Sequence, residues 1–525
     1  MSNINDNNTR KKLPENWTQC MFIIERKGRY CNLGRVNDSL YCGAHRPLDD
    51  IVNSESRATR HAQYKGMNVE RVQCPVDPTH TIYKHRLNNH IKICNAKTRN
   101  NIMKQQLFYC KNCNSSSTTS NNDSDDDNDY GSNSNSNSNV ILEPVDPDVL
   151  VNKIKACFAT FLNINIDPNS NTNGMTCSTT DNIEATITTA IAKTQTSHNK
   201  TRHIKQDALI INVMSTTSLL SLSNNNDTIN DNVSYVELGA GKGVLGISLK
   251  VVKPSINLVL VERSGCRGKA ENKLINSKKR EIGISTSSSS TASGSRLGLG
   301  IGMESEGFFR VRMDIRHCYI PCLPGVLLEN DKSSNTSQTP AFLPKGKDVV
   351  IIAKHLCGVA TDLALRSLLQ YHVNDSNTNN PCAKGVSIAT CCHHAMNYDD
   401  YTGIDFYTSH GFTRGDFEVM KYWSGWNSIK TEYKKRSNPA TNNDNDNQND
   451  DENDDHNDDH NPPTNTVRPS NIDREEMANI GYMIKRVFDQ GRIEFLKTIG
   501  YNARQLKYCD KKLTPECVII IAEKM

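Results

Sequence analysis

The chain has 525 residues, carries 62 Lys and Arg against 58 Asp and Glu for a net charge of +4, and is only 36% hydrophobic. That length allows about three domains, and without any run approaching ~18 apolar residues a membrane span is not expected. The polar opening from Met1 to Trp17 has no signal-peptide core, so the chain reads as soluble and intracellular, in nucleus or cytoplasm, with its 18 cysteines reduced and available for metal or catalysis.

Charge is uneven along the sequence. Residues 1–113 hold 19 Lys and Arg against 9 Asp and Glu, a net +10, which leaves −6 for the rest. A basic N-terminal part suits a polyanion such as nucleic acid, with a solvated charged surface as the alternative.

Two metal-spaced sets lie in that basic part. Cys20, Cys31, Cys42 and His45 have the spacing C-x10-C-x10-C-x2-H in a segment with few residues for a core. Three thiolates and one imidazole make a closed tetrahedral zinc site, and the segment is expected to need its metal to fold. Cys74, His80, His90 and Cys94 follow as C-x5-H-x9-H-x3-C, with His90 and Cys94 four apart on one helix face. Two structural Zn2+ sites are therefore expected. His85 is left over, and Cys110-x-x-Cys113 stands alone without an assigned role.

Asn114 to Asn139, Ser285 to Gly302 and Arg436 to Asn471 are Ser, Gly, Asn and Asp tracts too poor in apolar residues to offset chain entropy. Asn169 to Lys200, Glu329 to Pro340 and Asp375 to Pro381 read as polar loop insertions. The expected organisation is a finger at 17–48, a second at 70–98, a linker at 114–139, and an α/β domain at 145–525 with insertions at 285–302 and 436–471.

The α/β signal starts at Val236-Glu237-Leu238-Gly239-Ala240-Gly241-Lys242-Gly243, a buried strand running into a glycine turn that opens a helix. Gly239, Gly241 and Gly243 let backbone approach a ligand closely. A second strand ends on Glu262, about 20 residues on, where an acid grips ribose hydroxyls in nucleotide folds. Glu237 just before the first glycine suits the cationic methionine end of S-adenosylmethionine and would repel a pyrophosphate, so that cofactor is read in preference to NAD.

A third strand near Phe309–Met313 leads to Asp314, placed for an adenine contact, with a surface turn as the alternative. The fourth, Asp348–Ala353, delivers Lys354, His355 and Cys357 to the carboxyl edge of the sheet, where active residues belong. The fifth, Gly385–Ala389, ends in Thr390-Cys391-Cys392-His393-His394, aimed at the same space. A third zinc site is the alternative there, but neighbouring residues point in different directions, so Cys391 to His394 do not readily share one ion, and substrate contact or proton handling is the preferred reading. The (Asp/Asn)-Pro-Pro-aromatic motif of amino-group methyltransferases is missing after strand four; Asn461-Pro462-Pro463-Thr464 has no preceding strand. Oxygen methylation needs only an aligned hydroxyl and a group to take its proton, and Lys354 or His355 suits that task. A helix from Met483 and two strands, Arg504–Tyr508 and Cys517–Ala522, close the chain.

Together these motifs resemble the eukaryotic tRNA 2′-O-methyltransferases that modify nucleotide four of the acceptor stem. The resemblance rests on both zinc sets, E-L-G-A-G-K-G at 237–243, K-H-L-C-G-V-A-T-D at 354–362, C-C-H-H at 391–394, and the block from Ile480-Gly481 through Asp489-Gln490-Gly491-Arg492 to Thr514-Pro515-Glu516. It implies a Rossmann-like, seven-stranded fold and methyl transfer from S-adenosylmethionine to a ribose 2′-hydroxyl. Glu237, Gly239, Gly241, Gly243, Glu262 and Asp314 would hold the cofactor, Lys354, His355, Cys391 and His393 would form the catalytic edge, and the zinc modules would grip the tRNA acceptor stem. Two rivals remain: a cysteine-dependent C5-cytosine RNA methyltransferase using Cys391, and a zinc-finger RNA-binding protein with an inactive methyltransferase fold.

Overall fold

A computed structural model of the chain describes residues 18–21, 23–24, 29–30, 34–35, 40, 71–116, 144–161, 177–191, 198–222, 232–265, 269–270, 307–328, 346–372, 381–428, 468–470 and 472–525. It divides into two compact units, residues 1–74 with 80–91, and residues 75–79 with 92–525. The larger unit is mixed α/β. Its seven strands are β1 (Val233–Leu238), β2 (Asn257–Val261), β3 (Phe308–Val311), β4 (Asp348–Leu356), β5 (Ala383–Thr390), β6 (Tyr501–Lys507) and β7 (Val518–Lys524). They form one sheet in the order β6-β7-β5-β4-β1-β2-β3.

The first five strands run parallel, and β7 pairs antiparallel with both β5 and β6. Strands β1 and β2 are buried at every position, as parallel strands covered on both faces must be. Alternate residues feed two separate cores. Val236, Val259 and Ile351 face Leu363, Leu365, Ile493 and Leu496; Tyr235, Leu258 and Ile352 face Ile187, Ile210, Ile211, Leu245 and Ile247. A third cluster packs Ile154 and Phe158 against Tyr401, Phe417, Trp423, Ile484 and Phe488.

Besides the helix Asn95–Lys104, the described part of this unit holds eight more: α1 (Pro147–Phe161), α2 (Cys177–Ile191), α3 (His198–Ser215), α4 (Val244–Val252), α5 (Val359–Arg366), α6 (Ile404–Ser409), α7 (Arg414–Trp423) and α8 (Arg474–Thr498). Helix α8 starts nine residues before Met483 and is continuous through Gly491. A Cβ on Gly491 would stand 2.1 Å from the Tyr401 hydroxyl, so glycine there answers a close approach within the helix and not an end of it.

Two composition-based expectations need correcting. The Thr/Asn-rich segment 169–200 is not simply a loop: α2 and the start of α3 lie in it, and Ile183 and Ile187, four apart on one face, are buried in the second core. Sparse apolar residues at helical spacing suffice when they face a large partner surface. The polar linker also starts later than Asn114. Asn114 is fully buried; its amide donates to the carbonyls of Ile315 (2.6 Å) and Cys318 (3.0 Å) and its carbonyl accepts from Gln370 (2.7 Å). Ser115 and Ser116 bond to Asp400. At the other tract, Ser470 is bonded to Asp148 of α1. The tracts at 285–302 and 436–467 lie outside the described residues.

Candidate active site

The strand order reverses between β1 and β4, the position at which open α/β sheets bind ligands beyond their carboxyl ends. The glycine turn leaves β1 there. Gly239, Gly241 and Gly243 all have positive φ, at 65°, 50° and 74°. A Cβ at 239 would strike Leu356 at 2.5 Å, whereas one at 241 would meet nothing within 4 Å. The turn is thus packed at its base and open at its crest, the shape expected of backbone that cradles a ligand.

Glu262 braces this turn. Its Oε2 accepts from Gly241 N at 2.8 Å and its Oε1 from Ser264 N at 2.7 Å. Both carboxylate oxygens keep further lone pairs for a ligand hydroxyl. Arg310 of β3, which carried no sequence signal, donates to Gly241 O at 3.0 Å. Glu237 does not stand at an open loop mouth as the sequence suggested. It is 3% exposed and lies under the turn, accepting from Gly246 N at 2.9 Å in the first turn of α4. Burial pushes its carboxyl up to about 8, against the pull of that N–H, Arg310 and Lys354. Asp314 caps the short 3-10 helix Ile315–His317 by accepting from Arg316 N, and meets Arg263 at 3.5 Å.

At the end of β4, Lys354 is ion-paired with Asp207 of α3, and the side chains are 8% and 0% exposed. Asp207 also accepts from Ser248 at 3.2 Å. The strand then bulges between Lys354 and Leu356, with His355 at a φ of 60°. A positive φ in a non-glycine residue marks backbone held by its surroundings. The bulge turns His355 out to the surface, where its ring meets His203 edge-on at 6.2 Å. Partial desolvation, then the Lys354 ammonium and His203, hold the His355 imidazole below its usual pKa.

The C-C-H-H segment splits in two directions. Cys391 Sγ and Cys392 Sγ lie 3.5 and 3.1 Å from Cys357 Sγ. His393 points the other way and is 1% exposed: its Nε2 is 2.9 Å from Asp489 Oδ1 and its ring stacks on Phe488. It belongs to a buried network in which Arg492 pairs with Asp362 (2.7 Å) and Asp489 (3.0 Å), and Arg486 with Asp489 (2.9 Å). The expected catalytic place of His393 is therefore corrected to one inside the fold. The same network accounts for Asp362 in the Lys354 motif and Asp489 and Arg492 in the C-terminal block, which hold α5 to α8.

In the second zinc set, Cys74 and Cys94 are buried, and His90 Nε2 is 3.1 Å from Cys74 Sγ. His80 is in the strand Asp77–Tyr83, and its side chain lies outside the described residues. Of the first set Cys20 is described and buried; Cys31, Cys42 and His45 lie outside the described residues.

Residues 206–523, which hold the seven-stranded sheet save the last residue of β7, match the family described as Methyltransferase TRM13. The chain belongs to the TRM13 methyltransferase family. Residues 18–46 match the CCCH zinc finger in TRM13 protein and residues 71–95 the U11-48K-like CHHC zinc finger, which supports zinc at both sets. Among TRM13 relatives, a Homo sapiens protein named "tRNA:m(4)X modification enzyme TRM13 homolog" is 24% identical, covering 96% of this chain and 94% of its own length. The Saccharomyces cerevisiae "tRNA:m(4)X modification enzyme TRM13" is also 24% identical, over 99% of this chain and all of its own. A Dictyostelium discoideum homolog is 26% identical over 78% of this chain and 71% of its own. Among the described residues, no helix is long and apolar enough to cross a membrane.

Proposed function

We propose that this TRM13 family member transfers a methyl group from S-adenosylmethionine to the ribose 2′-hydroxyl of nucleotide four in the acceptor stem of a tRNA. The observation that carries this reading is the meeting, at the carboxyl edge of one sheet, of an open glycine turn braced by Glu262 and a lysine ion-paired inside the fold. The printed names of the relatives, tRNA modification enzymes matched over nearly their whole length, support the tRNA as substrate.

The strand order, with an antiparallel β7 slotted between β5 and β6, supports a Rossmann-like S-adenosylmethionine fold. The cofactor fits the residues present, because space stands open at Gly241 and Glu262 retains acceptor capacity beside it. Bound there, S-adenosylmethionine would supply a methyl group on a sulfonium. Gly239 to Gly243 would line its backbone-facing side, Glu262 would accept from its ribose, Asp314 would border the adenine end, and Glu237 would set a hydrogen-bonding floor beneath the turn.

On the acceptor side, Lys354 is fixed by Asp207 and orients the incoming hydroxyl, while His355, exposed at the bulge, takes the proton that the oxygen loses as it attacks. The two zinc modules, at 17–48 and 70–98, and the basic segment around them bind the A-form stem by phosphate contact and shape. The catalytic domain spans 145–525. A tRNA substrate is in keeping with a protein of the nucleus or cytoplasm. A covalent cytosine mechanism draws no support from Cys391, which is 6% exposed and turned toward two other thiols.

The test is transfer from methyl-labelled S-adenosylmethionine to tRNA followed by digestion to nucleosides. Label in a 2′-O-methylated nucleoside from position four supports the proposal, and label in a base overturns it.

A further inference from the structure

The three thiols of Cys357, Cys391 and Cys392 have no part in the reaction proposed above, yet the fold brings them together from two different strand ends. Cys357 follows the β4 bulge and Cys391 and Cys392 follow β5. Their sulfur atoms all lie within 4.8 Å of one another, with 3.1 and 3.5 Å for the two pairs that include Cys357.

The loops are built to hold this convergence. Gly358 has a φ of 57°, and a Cβ there would stand 2.1 Å from Ala395 O, so the β4 loop is pressed directly on the β5 loop. His355, in the same loop, also has a positive φ of 60°, a conformation that its surroundings must hold.

We propose that Cys357, Cys391 and Cys392 bind one soft divalent cation, Zn2+, as three thiolates, in a site separate from both zinc fingers. Zinc to thiolate bonds of about 2.3 Å put the sulfur atoms of a tetrahedral site about 3.8 Å apart. The two pairs that include Cys357, at 3.5 and 3.1 Å, need to open by only about 0.3 and 0.7 Å to reach that. The Cys74 and His90 ligand atoms of the CHHC finger stand equally close, at 3.1 Å, so the trio is as compressed as a ligand set that a zinc-finger family assigns. A disulfide would use two of the sulfurs and leave the third against it without a role. Metal uses all three.

No fourth His, Cys, Asp or Glu among the described residues joins this group, and Cys357 is exposed. A solvent molecule completes the tetrahedron. Three protons leave with binding and the occupied site carries a net charge of −1. Its effect is mechanical: it clamps the β4 loop, which carries Lys354 and His355, to the β5 loop.

The test is metal content of the full chain purified under reducing conditions, read by mass spectrometry of the metal. Cys357→Ser with Cys392→Ser should lower zinc by one equivalent relative to the unaltered protein, and unchanged zinc would overturn the proposal. Because that variant can also loosen the loops, the complementary one carries Cys20→Ser and Cys74→Ser. It should retain one equivalent and, after exchange with Co2+, show a thiolate-to-cobalt charge-transfer band. No retained metal, or a Cys357–Cys392 disulfide in its place, would overturn the assignment.

Discussion

Lys354 and Asp207, 147 residues apart in the chain, form an ion pair with both side chains out of solvent. Removing one member strands the other charge, which costs about 3–5 kcal/mol, whereas removing both is often neutral. Lys354→Met should therefore lower the unfolding free energy by roughly 3 kcal/mol, and Lys354→Met with Asp207→Leu should recover most of it. The double variant should remain inactive in methyl transfer. Activity restored along with stability would mean that Lys354 serves only the fold.

The glycine turn separates packing from ligand space. Gly241→Ala incurs the positive-φ penalty of about 1–2 kcal/mol but meets no neighbour, so the protein should stay folded and bind S-adenosylmethionine about tenfold more weakly by calorimetry, a change of ~1.4 kcal/mol. Gly239→Ala adds a clash with Leu356 and should lose more stability than Gly241→Ala. Equal losses would contradict the difference in packing.

Acid should attack the buried network at Asp489. Burial alone would raise the pKa of this carboxyl, but His393, Arg486 and Arg492 outweigh it and hold it well below the usual range. The unfolded chain then takes up the proton first as pH falls, so the stability Asp489 contributes is complete above about pH 4 and is lost below it. In denaturant titrations between pH 6 and pH 3, Asp489→Asn should show a flatter decline than the unaltered protein, starting from a lower value. Parallel curves would show that Asp489 does not titrate in this window.

Zinc loss should separate tRNA binding from cofactor binding. Cys74→Ser removes a buried ligand of the CHHC set and should weaken tRNA binding at least tenfold, while S-adenosylmethionine binding by calorimetry stays within a factor of about two. Loss of both would mean that the finger is needed for the catalytic domain to fold.

Much of this site was legible because it is written in local patterns. The turn at 237–243, Glu262, the strand leading to Lys354 and the C-C-H-H segment each sit at a strand end that hydrophobic runs announce, and the structure finds all of them at one sheet edge. What escaped were partners supplied from afar. Asp207 lies in a helix with no motif, Arg310 alternates along β3 like any strand residue, and the burial of His393 depends on Asp489 almost a hundred residues later. Composition misjudged 169–200 and Asn114 for a related reason: a polar residue list says little when a few isoleucines share a helix face, or when an asparagine side chain satisfies buried carbonyls.

Ribose methylation is the central claim, and one substrate change addresses it directly. Methyl transfer should be measured on an acceptor-stem tRNA and on the same tRNA with a 2′-deoxyribose at nucleotide four. The account predicts full labelling of the first and none of the second above background, with both bound equally well. Equal labelling of the two would contradict it.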